Sequence, residues 1–169
     1  ARGPRPVDGA GRLRTVRTRW ITSRGRFLAA SLLVLAASAV TGSAAPAGSV
    51  LCPPAGRYAG PVHLARPLTI EGGGRVSIDA GGKGSVFTVA ADHVTLRGLH
   101  LTGSGASYDT DDSCLDVRGD ANRIEDLVID DCLFGIDLKQ SNDNLVRRNR
   151  IRSKPLEIAM RGDAIRLWY

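Results

Sequence analysis

The stretch "LDVRGDANRIEDLVID", residues 115–130, holds two apolar patterns in a row. Leu115 and Val117 flank a polar residue, the alternation of a strand with one buried face. Ile124, Leu127 and Ile129 follow, spaced by three and then by two. Both patterns return along the chain. The first recurs at Phe87 and Val89, at Ile136 and Leu138, and at Ile165 and Leu167. The second recurs at Leu96, Leu99 and Leu101, and at Val146, Asn149 and Ile151. A weaker unit precedes them, with Val62 and Leu64 ahead of Leu68, Ile70, Val76 and Ile78, which surround "EGGG". Equivalent positions lie 21 or 22 residues apart, or 28 or 29 where extra residues are inserted.

An internal period of this length marks a repeat architecture. The Leu/Asn consensus of leucine-rich repeats is absent. Helical repeats need apolar spacing of three and four over ten or more residues, and no such run follows residue 46. Short strands bounded by Gly, Asp, Asn and Ser predict an all-β chain, a right-handed parallel β-helix in which each unit is one rung. A rung cannot bury its apolar face alone, so rungs stack, about 4.8 Å apart.

Stacking predicts compatible outward columns. One reads Arg97, Glu125, Arg147 and its neighbour Gly98, Asp126, Arg148, with sign alternating as cross-strand pairing favours. A third reads Thr88, Asp116, Asp137, Arg166, and beside it Ala90, Arg118, Lys139, Trp168. Asn149 takes an inward place held elsewhere by Leu99 and Leu127, where it is expected to bond the turn backbone. The apolar ending, Ile165 to Tyr169, reads as a strand cut from a continuing stack, with an unpaired edge.

The chain has 169 residues and a net charge of +6, but the charge is segregated. Residues 1–26 carry eight Arg and one Asp, residues 27–45 carry no charge, and residues 46–169 carry 15 basic and 16 acidic side chains. The basic balance belongs to the leader, so it does not argue for a nucleic-acid partner. The run "RRNRIRSK", 147–154, is expected to be a salt-bridged face. Arg24 and Arg26, the apolar "FLAASLLVLAASAV" (27–40) and the small residues after it have the form of a cleaved secretory signal peptide. Cleavage is expected around Ala44, Ala45 and Ala47. The apolar run falls short of the roughly 20 residues of a membrane anchor, and nothing after it is long enough to span. The division expected is a disordered basic leader or upstream extension (1–26), a signal region (27–47) and the N-terminal part of a β-helix (48–169), with the product periplasmic.

Chemistry is expected at one corner. Two insertions, "TGSGASYDTDDSC" (102–114) and "RSKPLEIAMRGDA" (152–164), flank the short turn "DDCLFG" (130–135) and should border a hollow. Asp109, Asp111, Asp112, Glu157 and Arg161 are the candidate binding residues there. Cys114, Cys132 and Met160 are soft donors that suit Cu(I). The two Cys have other readings, as a disulfide with a stretched approach or as buried thiols. The third, Cys52, makes the count odd. Asp116 and Asp137 raise an acid/base or Ca²⁺ pair, although Arg118 and Lys139 lie close enough to neutralise them. His63, His93 and His100 are scattered, which argues against a catalytic residue among them. "DAGGKGS" lacks the Gly and Ser/Thr of a phosphate loop, and "EGGGRVS" ends on Ser77 where a dinucleotide fingerprint needs Gly.

"RPLTIEGGGRVSIDAGGKGSVFTVAADHVTLRGLHLTGSG" (66–105) resembles the opening rungs of the NosD-type periplasmic maturation proteins of nitrous oxide reductase. "CLFGIDLKQSNDNLVRRNRI" (132–151) and "RGDAIRLWY" (161–169) are similar to later rungs. The resemblance implies a non-enzymatic accessory scaffold that works with an ABC transporter and a copper chaperone to mature the reductase copper centre. It transfers no metal ligand residue by residue. The alternative is a carbohydrate-binding or polysaccharide-modifying β-helix of the hydrolase, lyase or epimerase class.

Overall fold

Residues 48–169 are described by the computed structural model. The basic leader, the apolar stretch and the expected cleavage zone at Ala44, Ala45 and Ala47 lie outside the described residues.

Among the described residues the chain forms thirteen strands and no α-helix. They are β1 Val50–Leu51, β2 Gly56–Ala59, β3 Val62–Leu64, β4 Thr69–Asp79, β5 Phe87–Val89, β6 Thr95–Thr102 and β7 Ser113–Val117. After these come β8 Arg123–Glu125, β9 Val128–Cys132, β10 Phe134–Lys139, β11 Leu145–Arg147, β12 Arg150–Ser153 and β13 Ile165–Trp168. A single 3-10 turn, Ile158–Met160, lies in the second insertion. Every strand pairing is parallel. The all-β character expected from the repeat is therefore present. One sheet runs β3-β5-β7-β10-β13. The other has eight strands in two rows, β1-β4-β6-β8-β11 and a second row in which β2 pairs β4, and β9 joins β6 to β12. The rows share a sheet because β4 and β6 are long enough to run through both.

Single left-handed residues turn the chain from row to row. Gly98, Asp126 and Arg148 have φ of 62°, 56° and 54° at the bend between the rows. Glycine adopts this conformation freely and Asp tolerates it. β4 rounds the same bend with four residues where β6 uses one, so the register jumps from Glu71↔Arg97 to Val76↔Leu99. His93, Ala121 and Asp143, each with φ of 54°, mark a second recurring corner. Nothing in the types Ala121 or Arg148 announces this conformation. The sequence reading also passed over β1 and β2, which lack the alternation.

The registers follow the repeat. Phe87, Leu115, Ile136 and Ile165 are successive partners, as are Leu96, Ile124 and Val146. Their inward side chains fuse into one core, in which Phe87, Leu96, Leu101, Leu115, Ile129 and Ile136 have no exposed surface. Fully burying each such side chain stabilises the fold by about 1.5–3 kcal/mol before conformational entropy is counted. Asn149 behaves as expected: its Oδ1 accepts from Leu127 N at 2.9 Å and its Nδ2 donates to Ile124 O at 2.9 Å. A similar ladder was not foreseen. Asn122 Oδ1 accepts from Val94 N at 2.7 Å, and Asn144 Oδ1 accepts from Asn122 N at 2.9 Å. These amides satisfy backbone donors at the corners, where the strand ladders stop.

Candidate functional site

The column Thr88, Asp116, Asp137, Arg166 forms in the predicted register, with Lys139 beside Trp168 one step outward. One expectation is corrected. These positions point away from the core, yet Asp116 and Asp137 are buried, at 4 % and 0 % exposure. The insertion 102–114 folds over them. Its own geometry is fixed by Asp112, a buried carboxylate that accepts from Ser107 N at 3.0 Å and from Thr110 Oγ1 at 2.7 Å. Gly105 is required there, because a Cβ would fall on the Asp112 carboxylate.

The two buried aspartates are saturated with cations. Arg118 donates through Nε and Nη2 to Asp116 at 3.1 and 3.0 Å. Arg166 grips Asp137 in the same two-pronged way, at 3.1 and 2.5 Å. The Lys139 ammonium stands among three carboxylates, 3.2 Å from Asp137, 3.3 Å from Asp111 and 3.5 Å from Asp116. Asp111 closes the cluster from the solvent side and also reaches Arg166 at 2.8 Å. The cluster thus balances three carboxylates against three cations. Burial pushes the Asp111 carboxyl up, but hydrogen bonds from Arg166 and Lys139 outweigh it and hold the group below its ordinary value. Burial likewise works against the Lys139 charge, and the surrounding aspartates, Asp116 foremost, keep its pKa above the ordinary lysine value.

Aromatic rings continue the cluster outward. The Arg166 guanidinium lies 3.7 Å from the Phe134 ring centre and 4.9 Å from that of Trp168. Tyr108 of the first insertion meets Phe134 edge-on, centroids 5.5 Å apart. Trp168 is half exposed and Tyr169 fully so. Together with Asp111, Arg118, Lys139 and Gln140 they line an open cleft of about 450 Å³.

Of the candidate binding residues, Asp111 alone enters this cleft. Asp109 is exposed on the same loop, and Asp112 is a buried structural group. Glu157 and Arg161 lie exposed around the 3-10 turn, where Glu157 O accepts from Met160 N and Arg161 Nε donates to Leu156 O, each at 2.8 Å. The second insertion lies directly against the short turn and the start of β10. Gly162 packs its backbone on the Phe134 ring, and Asp163 and Ala164 carbonyls accept from Gly135 N and Ile136 N at 3.0 Å. The cleft residues missed as ligand-facing, Gln140 and Tyr169, follow directly from Lys139 and Trp168, whose column was visible.

Cys114 and Cys132 are joined as a disulfide with Cα atoms 5.5 Å apart, an ordinary approach rather than the stretched one expected. The correction has a simple cause. Ser113 pairs Phe134, so the turn carrying Cys132 is directly beside Cys114. Bridged sulfurs offer no thiolate. Met160 is exposed on the 3-10 turn, and Cys52 is a free, exposed thiol at the other end of the stack. Among the described residues no three His, Cys, Asp or Glu side chains converge as metal ligands. Where Asp116 and Asp137 approach, the Lys139 ammonium already occupies the place of a cation.

One further cluster joins residues the sequence left scattered. His100 has Ser77 Oγ 3.3 Å from Nδ1 and Asp130 Oδ2 3.0 Å from Nε2. The order is that of a nucleophile, base and acid. All three lie inside paired strands, and no donor set for an oxyanion is seen beside them among the described residues.

No family model, curated protein or solved structure matches the chain.

Proposed function

We propose that residues 48–169 form a right-handed parallel β-helix whose cleft at Trp168 binds carbohydrate without turning it over. Three rows of parallel strands, each receiving one strand per unit, support the helical reading. Its hand follows from the strong preference of parallel crossovers for right-handed connection. The Cys114–Cys132 bridge favours an oxidising compartment, as export through the leader would provide.

The observation that carries the binding reading is the Trp168 ring beside the neutralised carboxylates. Trp168 offers an apolar face, and Arg118 and Gln140 offer donors and acceptors around it. A sugar ring needs this mixture of stacking surface and hydrogen-bonding groups. Arg166, packed between Phe134 and Trp168 and pinned by Asp137, pre-positions the indole and lowers the ordering cost of binding.

Turnover is disfavoured by the same charges. A glycosidase needs one carboxyl that keeps its proton. All four oxygens of Asp116 and Asp137 are engaged by cations, and Asp111 is held in its ionised form. The bridge removes Cys114 and Cys132 as Cu(I) donors, while the scaffold role implied by resemblance assigns no donor to this chain and has no observation of its own in the geometry. Calorimetric titration against a panel of neutral and acidic oligosaccharides tests the reading. Trp168→Ala should weaken binding at least about tenfold with an unchanged melting temperature, on the scale of other aromatic anchors. A panel with no binder, or binding indifferent to Trp168, rejects it.

A further inference from the structure

Asp111 differs from the two carboxylates it stands with. Asp116 and Asp137 belong to paired strands and lie at the floor of the cluster. Asp111 comes from the insertion, its side chain is 35 % exposed, and it lines the cleft beside Lys139 while also reaching Arg166, which lies behind the lining. Those two cations are themselves nearly shut off from solvent, with 19 % and 13 % of their side chains exposed. Without Asp111, Arg118, Lys139 and Arg166 would face Asp116 and Asp137 alone, leaving one positive charge uncompensated at the cleft wall. The backbone at Asp111 has φ of 52°, a left-handed conformation that holds the carboxylate on the two cations.

We infer that Asp111 is a built-in stand-in for the carboxylate of an acidic sugar, and that the cleft takes uronate-containing glycans by exchanging this internal carboxylate for the ligand's own. The inference rests on the carbohydrate reading and narrows it to a substrate class. The ligand carboxylate would bridge Lys139 Nζ and Arg166 Nη2 as Asp111 Oδ2 and Oδ1 do now, at 3.3 and 2.8 Å, while its ring stacks on Trp168. Exchange needs only a rotation of the Asp111 side chain, because the neighbouring Asp112 anchors the loop independently. Affinity in the natural chain is lowered by the fraction of molecules in which Asp111 occupies the site.

The test uses trigalacturonic acid and its methyl ester, in which each carboxylate is neutralised and capped by a methyl group. Asn and Gly both accept a left-handed backbone, so Asp111→Asn and Asp111→Gly remove the carboxylate without straining the loop. Each variant should raise the ratio of acid to ester affinity at least about tenfold over that of the natural chain. A ratio lowered in both variants, or left unchanged by an equal gain for acid and ester, overturns the inference. If neutral glycans still bind in a Trp168-dependent manner under those outcomes, the carbohydrate reading survives. If no sugar of either kind binds, both fall.

Discussion

Glu125 shows how far a single residue can depart from what its type suggests. It is a glutamate with no exposed surface. Arg97 and Arg147 approach it at 3.1 Å, Arg123 at 3.2 Å and Arg148 at 3.6 Å. Hydrogen bonding from Arg147 foremost, against the opposing effect of burial, brings its pKa to about 2. A carboxyl depressed in the folded state stabilises above its unfolded value and loses that contribution as pH falls through the folded one. Glu125→Gln should therefore lower the denaturation midpoint at pH 7. The gap to the natural chain should narrow between pH 4.5 and about 2. Urea titrations at pH 7, 4 and 2.5 measure it; a gap that does not change with pH would show that packing, not charge, is what the substitution removes. The column Arg97, Glu125, Arg147 was legible from the 28- and 22-residue offsets alone. The burial of Glu125 was not, because Arg123 reaches it along its own strand and Arg148 from the corner.

At the scale of elements, the first insertion turns a solvent-facing strip of β7 and β10 into an interior. A period-two pattern identifies which side of a strand faces the core, but says nothing about what later covers the other side. That is why the Asp116–Asp137 column was readable and its enclosure was not. The Cys114–Cys132 bridge belongs to the same corner and ties β7 to the end of β9 across 18 residues of chain. Sequence left it open because both Cys lie at strand ends, where a shift of one residue decides between contact and separation. Closing a loop of that size restricts the unfolded chain by about 3 kcal/mol in the chain-entropy model. The double variant Cys114→Ser, Cys132→Ser should lose stability of that order in guanidinium unfolding under oxidising conditions, and should match the natural chain once reductant is added. A double variant as stable as the oxidised natural chain would exclude a structural role for the bridge.

Across residues 48–169, burial is graded along the order of paired strands. Leu115 and Ile136 are wholly enclosed, whereas their successor Ile165 is 44 % exposed and Leu167 61 %. In a structure where each unit touches only its neighbours, local opening should be cheapest at the ends. Hydrogen exchange should find the slowest amides in β6, β7 and β10, whose inward side chains are fully enclosed, and faster ones in strands such as β12, whose residues are at most half-buried. Uniform protection throughout would argue instead for one all-or-none unit. The repeat made this gradient foreseeable in outline, and the parallel order of the rows with it. The left-handed corners were only partly legible: Gly98, Asp126 and Asp143 are types that accept the conformation, whereas Ala121 and Arg148 have none of the chemistry that usually signals it. The remaining corner, which holds the insertions, has a consequence beyond shape. The stretch between the second row and the third varies in length, yet Phe87↔Leu115, Leu115↔Ile136 and Ile136↔Ile165 stay aligned at separations of 28, 21 and 29 residues. Loop content at that one edge is uncoupled from the addressing of the core. It is a port into which segments of different length can be exchanged, by evolution or by an engineer, while every column behind it keeps its place.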